Sequence, residues 1–185
     1  KIVGCTAGLS ISILGPTHFA IEDIAIYRAI PNITILSPAD CTETVKATLA
    51  AAGHKGPVYL RLTGGMNHPT VYKADYEFEI GKAIRLREGT DVAIIATGSM
   101  VHPSLEAAKI LFEGGVSCMV IDMHTIKPLD ENALLEALPM KLLVTVEEHN
   151  VNGGLGGAVS LGEYAGCNGL AGRWQSPHVA ATTPP

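Results

Sequence analysis

The feature that most constrains this chain is an alternation of short apolar runs with longer stretches of helical spacing. Lys1–Cys5, Ile33–Leu36 and Val58–Leu62 are short and apolar, as buried strands are. Between the first two, Ala20–Ile30 carries apolar residues at 21, 24, 25 and 29, which predicts a helix stopped by Pro31-Asn32. Between the second and third, Asp40-Cys41-Thr42-Glu43 is a capping box. The helix it opens is expected to run through Val45, Leu49 and Ala52 to Gly53. Strand, helix, strand, helix, strand is the order of a parallel sheet covered by helices.

The rhythm breaks at 64–78, where Gly64-Gly65 and Asn67-His68-Pro69 read as a linker. A second unit follows. Lys82–Arg87 alternates like an edge strand, and Val92–Ala96, Ser117–Asp122 and Leu142–Glu147 are buried-strand runs. His102–Glu113 is expected to be a helix with Leu105, Ala108, Ile110 and Leu111 inward. A short helix follows Pro128-Leu129-Asp130 with Asp130 as its cap, and a last one begins near Ala158. The expected division is 1–63, a linker at 64–78, and 79–185 ending in a loose tail at Ala180–Pro185. The fold class is α/β. A chain opening on Lys1-Ile2-Val3 inside a strand reads as a section of something longer, so the first sheet is expected to be truncated.

Composition narrows the function. Eighteen acidic residues against thirteen basic ones give a formal charge of −5, with no basic run, which argues against nucleic acid as partner. Aromatics are 5%, too few for a base-stacking platform. Mean hydropathy is high at +0.27. Yet no apolar run reaches the ~20 residues that span a bilayer. The excess belongs in buried strands and in a face that meets other parts of an assembly. Cys5, Cys41, Cys118 and Cys167 are far apart without metal spacing. They read as small buried hydrophobes of a cytoplasmic protein.

Three places could carry chemistry. His18, in Gly15-Pro16-Thr17-His18, lies in the loop after a strand and before a helix, where open α/β sheets bind ligands. It is a proton carrier or hydrogen-bond donor there, or a surface residue of a turn. Arg61 ends an apolar strand, where its planar fork grips phosphate or carboxylate, or pairs with a neighbouring acid. Glu147-Glu148-His149-Asn150 leads into Gly153-Gly154-Leu155-Gly156-Gly157. A Gly-rich turn before a helix either holds an anion or lets the helix pack closely. The adjacent Glu147 and Glu148 should face opposite ways from their strand.

Several of these stretches together resemble a known family. Gly15-Pro-Thr-His18, Ile21-Glu-Asp-Ile-Ala25, Arg28-Ala-Ile-Pro-Asn32, Ser37-Pro-Ala-Asp40 and Gly56-Pro-Val-Tyr-Leu-Arg61 are similar to the pyrimidine-binding domain of transketolases. Gly89–Gly98, Asp122–Asp130, Val146–Asn150 and Gly153–Gly157 are similar to the transketolase C-terminal domain. The likeness is strongest to the C-terminal subunits of split transketolases. It implies the second half of a pyrimidine-binding domain at 1–63, then a three-layer α/β C-terminal domain with a mostly parallel sheet at 79–185. It also implies a cytoplasmic transferase that uses thiamine diphosphate and Mg2+ to move a two-carbon ketol unit between sugar phosphates. The cofactor site lies between chains, so the resemblance implies a homodimer or a partner chain bearing the diphosphate-binding domain. No cofactor is expected on this chain alone, which is expected to be inactive by itself. By the same resemblance, His18 contacts the donor substrate and its developing alkoxide, Arg61 grips the substrate phosphate, and His149 is structural. Leu14 and Thr6 stand where full-length transketolases carry a sugar-reading Asp and a phosphate-holding His. Deoxyxylulose-phosphate synthases and 2-oxoacid dehydrogenase beta subunits share this architecture. A non-catalytic dimerisation or assembly module is a further alternative.

Overall fold

The structure is a computed structural model that describes residues 1–64 and 68–166, the last five of these by backbone alone. Its strands are β1 (Ile2–Ala7), β2 (Thr34–Leu36), β3 (Val58–Thr63), β4 (Ile84–Arg87), β5 (Val92–Ala96), β6 (Cys118–Asp122), β7 (Thr125–Lys127) and β8 (Leu142–Val146). Its helices are α1 (Asp23–Arg28), α2 (Cys41–Gly53), α3 (Val101–Glu113), α4 (Glu131–Ala137) and α5 (Leu155–Gly166). The expected tail and Cys167 lie outside the described residues.

The strands form two four-stranded sheets, ordered β1-β3-β2-β7 and β4-β6-β5-β8. In the first, β3 runs parallel to both neighbours, with Val3 opposite Leu60 and Ile35 opposite Tyr59. In the second, β5 runs parallel to both neighbours, with Ile94 opposite Val120 and Val144. The alternating segment is indeed an edge strand, β4, antiparallel to β6. The α/β class and the mostly parallel sheets are as expected.

One strand falls outside the expected list. β7 follows β6 at once and pairs antiparallel with β2, so the second unit completes the sheet of the first. Ile126 on β7 packs with Ile24, Ile33, Ile35 and Tyr59 of the first unit and with Ala158 of α5. Burying an isoleucine of this kind contributes about 1.5–3 kcal/mol. The units therefore share a core as well as a sheet.

The helix starts follow the caps. Asp40 accepts from Glu43 N at 2.8 Å, and Asp130 accepts from the backbone of Asn132 and Ala133. Glu43 reaches back one residue further than a standard box, to Ala39 N at 2.7 Å. One helix face differs from expectation, that of α3. α2 buries Glu43, Ala47 and Ala51, and leaves Val45 and Leu49 exposed. α3 buries Val101, Ser104 and Ala108, with Ile110 and Leu111 outward. Small side chains bring each helix close to its sheet, and the larger apolar residues go to the other side. The cysteines also differ, since Cys118 is buried but Cys5 and Cys41 are exposed.

An acid cluster sits where α2, β6 and the 64–78 stretch meet. Glu43 and Asp122 are both fully buried. Tyr76 donates its hydroxyl to Glu43 Oε1 at 3.1 Å, and Tyr72 donates to Asp122 Oδ2 at 2.7 Å. Asp122 Oδ1 has no hydrogen-bond partner among the described residues. Burial first, and then a neighbouring carboxylate (Asp40 for Glu43, Glu43 for Asp122), push both carboxyls above the usual carboxylate range, Glu43 to about 7. Among the described residues, no helix is long and apolar enough to cross a membrane.

Candidate functional site

The carboxyl ends of β1 and β3 open into the loop that carries His18. The loop is closed at its base by two backbone bonds, Gly8 N to Ala20 O at 2.9 Å and Ala20 N to Gly8 O at 3.1 Å. Inside it, two short 3-10 turns, Ser12–Leu14 and Pro16–His18, are hinged at Gly15. Gly15 has φ 78° and ψ −173°, a conformation essentially open to glycine alone. Pro16 then starts the second turn with φ already fixed. The result holds His18 exposed, with Nδ1 3.0 Å from Thr17 Oγ1. Its Nε2 has no partner among the described residues. Ile13 and Leu14 are also exposed, at 93% and 54%, so the loop presents apolar side chains beside the imidazole. Thr6, at φ 62°, is a β-branched residue in the left-handed region. Its Cα would lie 2.8 Å from a Cβ on Gly64, so the two loops at this edge press together.

Arg61 lies at the same edge but turns inward. It is 1% exposed. Nε donates to Asp23 Oδ2 at 2.7 Å, and Nη2 donates to Asp23 Oδ1, Ala20 O and Glu148 O. Tyr59 donates its hydroxyl to the same Asp23 oxygen at 2.7 Å, and burial with Asp23 nearby pushes the phenol pKa up. The structure thus shows the ion pair with a neighbouring acid. The guanidinium is enclosed, with Nε and Nη2 engaged by Asp23 and two carbonyls. His18 and Arg61 are not brought into one ligand-facing set.

The Gly-rich turn is also explained by the chain itself. Glu147 accepts from Leu155 N at 2.6 Å and Gly156 N at 2.9 Å, so the free N–H groups opening α5 already hold a carboxylate. Arg28 donates to the carbonyls of Gly153 and Gly154, pinning the turn to the first unit. A Cβ on Gly153 would sit 2.7 Å from Ala25 Cβ, and one on Gly154 would sit 2.3 Å from Glu147 Oε2. Close packing, and not an outside anion, accounts for these glycines. Glu147→Ala is expected to cost about 1–2 kcal/mol in a urea melt. A loss under about 0.3 kcal/mol would show that the carboxylate is dispensable there.

Glu148 faces the other way, as the strand geometry requires. Oε1 accepts from Leu9 N at 3.3 Å, and Oε2 accepts from Ser99 Oγ. His149 is buried between the units. Its Nδ1 lies 2.8 Å from Asn150 O, a carbonyl that can only accept, so Nδ1 carries the proton. Nε2 then accepts from Ala25 N at 3.4 Å. Asp23 is the residue that sequence reasoning missed here, and its only signal was an acid at the start of α1. Glu148 and Asn150 stood in the candidate run without these roles.

These observations define a two-unit α/β protein. The carboxyl end of its first sheet carries the exposed His18 loop, and its second unit is bonded to that edge. The chain matches the family models "Transketolase, pyrimidine binding domain" over residues 1–67 and "Transketolase, C-terminal domain" over residues 81–181. It belongs to the transketolase family. It is 46% identical over 163 residues to the transketolase family protein y4mN of Sinorhizobium fredii, covering 86% of this chain and 47% of the relative. It is 42% identical over 168 residues to the 6-deoxy-6-sulfo-D-fructose transketolase subunit SqwH of Clostridium sp., covering 88% of this chain and 51% of the relative. The structure of a split-gene transketolase, an inactive beta4 tetramer, matches with TM-score 0.81 at 41% identity, over 89% of this chain and 53% of that one. The chain thus spans about half the length of these relatives and corresponds to a C-terminal section.

Thiamine diphosphate dependence goes with the family in its whole enzymes. The described residues do not fit the diphosphate and its metal. The N-terminus of α5 is filled by Glu147. Among the described residues, no group of three or more His, Cys, Asp or Glu is placed to hold a metal ion.

Proposed function

We propose that this chain supplies the substrate-facing half of a thiamine-diphosphate-dependent enzyme that moves a two-carbon ketol unit between sugar phosphates. The observation that carries the reading is the Gly15-Pro16-Thr17 turn, which holds an exposed His18 at the carboxyl edge of a parallel sheet. Residues 1–63 act as the second half of the pyrimidine-binding domain, 64–78 as the linker and 79–185 as the C-terminal domain. The cofactor and Mg2+ are held mainly by the half that bears the diphosphate-binding domain, on a partner chain or a further segment. When bound, the cofactor supplies the carbanion chemistry. His18 is the donor toward the substrate oxygen that gains negative charge, a task suited to an imidazole near neutral pH. Arg61 stays behind the site as a positioning residue, holding Asp23 and the end of the His18 loop.

The test uses the assembled enzyme with thiamine diphosphate, Mg2+, a ketose phosphate donor and an aldose phosphate acceptor. His18→Ala should lower two-carbon transfer by about 100-fold or more. Full activity in that variant would make the chain an assembly module. Absence of transfer by the wild-type assembly, or consumption of pyruvate as donor, would move the reading to another branch of the fold. Calorimetry of this chain alone with cofactor and Mg2+ is expected to show no tight binding.

A further inference from the structure

The second unit does more than pack against the first. Residues 148–150 reach both feet of the loop that carries His18. At the first foot, Glu148 Oε1 accepts from Leu9 N at 3.3 Å. A Cβ on Gly8 would lie 2.7 Å from Glu148 Oε2, so the carboxylate is pressed against the start of the loop. At the second foot, Asn150 donates to Ile21 O through its backbone N at 3.0 Å and Nδ2 at 2.8 Å. Between the feet, Gly8 and Ala20 close the loop on each other. From the first unit, Gly64 N donates to Ser10 Oγ at 3.1 Å and Arg61 Nη2 donates to Ala20 O at 3.1 Å.

Glu148 is the charged member of this clamp, and its two oxygens serve different units. One takes the Leu9 amide of the substrate loop. The other takes the Ser99 hydroxyl in the turn that opens α3. Its backbone carbonyl meanwhile takes Arg61 Nη2 at 2.9 Å. A carboxylate is an acceptor only, so it can hold two donors at once without a competing geometry. Removing it leaves a part-buried amide unpaired at the base of the loop while β8 and α3 keep their own backbone bonds.

We propose that Glu148 of the C-terminal unit is a positioning residue for His18, setting the loop of residues 9–20 in the arrangement that presents the imidazole. The part concerning His18 in catalysis rests on the function proposed above; the positioning of the loop does not.

Two measurements separate them. In the full chain, amide hydrogen exchange of Glu148→Ala should speed up by about tenfold in residues 9–20 and stay unchanged in α2, α3 and β8. Glu148→Gln keeps an acceptor for the Leu9 amide and should return the slow exchange. In the assembled enzyme, Glu148→Ala should lower kcat by about tenfold with KM little changed, and the glutamine variant should recover most of it. Unchanged exchange in residues 9–20 overturns the proposal, as does faster exchange spread evenly through the second unit. If the exchange signature appears but the wild-type assembly shows no two-carbon transfer, the positioning stands and the functional reading fails.

Discussion

Replacing Asp23 with alanine is expected to lower the stability of this chain by about 3–5 kcal/mol, the usual result of stranding one member of a buried ion pair. Arg61 would be left 1% exposed with two carbonyls and no counter-charge. Tyr59 would lose the acceptor for its hydroxyl in the same step, and it stacks on Tyr27 with ring centroids 3.8 Å apart. The melting temperature should fall by roughly 10 °C, given about 2–4 °C per kcal/mol for a chain of this size. Arg61→Met alone should be comparably damaging, because it strands the acid. The double variant Asp23→Leu/Arg61→Met should recover a good part of the loss, because an apolar pair carries no desolvation penalty. A loss below about 1 kcal/mol in Asp23→Ala would mean that water reaches the guanidinium. The pair would then not be the interior tie described here.

The strands were legible because each is a run too apolar and too short for anything else, although β1, expected to be buried, leaves Ile2, Val3 and Cys5 exposed. Asp40 and Asp130 marked α2 and α4 because a cap is a local device, satisfied within three residues of itself. β7 was missed for the opposite reason. Thr125-Ile126-Lys127 has one apolar residue, and its partner β2 lies in the other unit, so nothing local marks it as a strand. The face of α3 was partly misjudged, at Ile110 and Leu111, because periodicity finds large apolar residues, whereas close packing here selected Val101, Ser104 and the expected Ala108. At the site, the turn around His18 was readable from Gly15 and Pro16, whose backbone preferences are intrinsic. Arg61 was ambiguous because its burial depends on Asp23 and on a carbonyl 87 residues away. The occupant of the Gly-rich turn, Glu147, stood at the end of a strand, and only the fold brings it to the start of α5.

The second large effect concerns pH. Glu43 and Asp122 meet across the two units, and Tyr72 and Tyr76 donate to them. Asp40 lies near enough to repel both, and none of the causes that shift them is a cation. Lys46, over the Tyr76 ring, is paired with Asp75 outside. Two carboxylates cannot both stay charged in such a place, so the folded chain keeps a proton that the unfolded chain gives up. Glu43 rises from its ordinary 4.5 to about 7. A raised folded value gives stability that is full below about 4.5, falls as pH climbs, and is gone above about 7. At about 1.4 kcal/mol per pH unit, the loss is about 3 kcal/mol. His124 works against this in part of the same window. Burial pushes it down to about 4, so its share of stability grows as pH rises toward 6.5. The wild-type curve alone therefore mixes two opposite slopes. The clean quantity is the difference between wild type and Glu43→Gln/Asp122→Asn, in which His124 cancels. Urea melts at about pH 5 and about pH 7.5 should show the neutral variant gaining on wild type by about 2 kcal/mol. A difference constant to within about 1 kcal/mol would show that the two acids hold no extra proton in the folded chain.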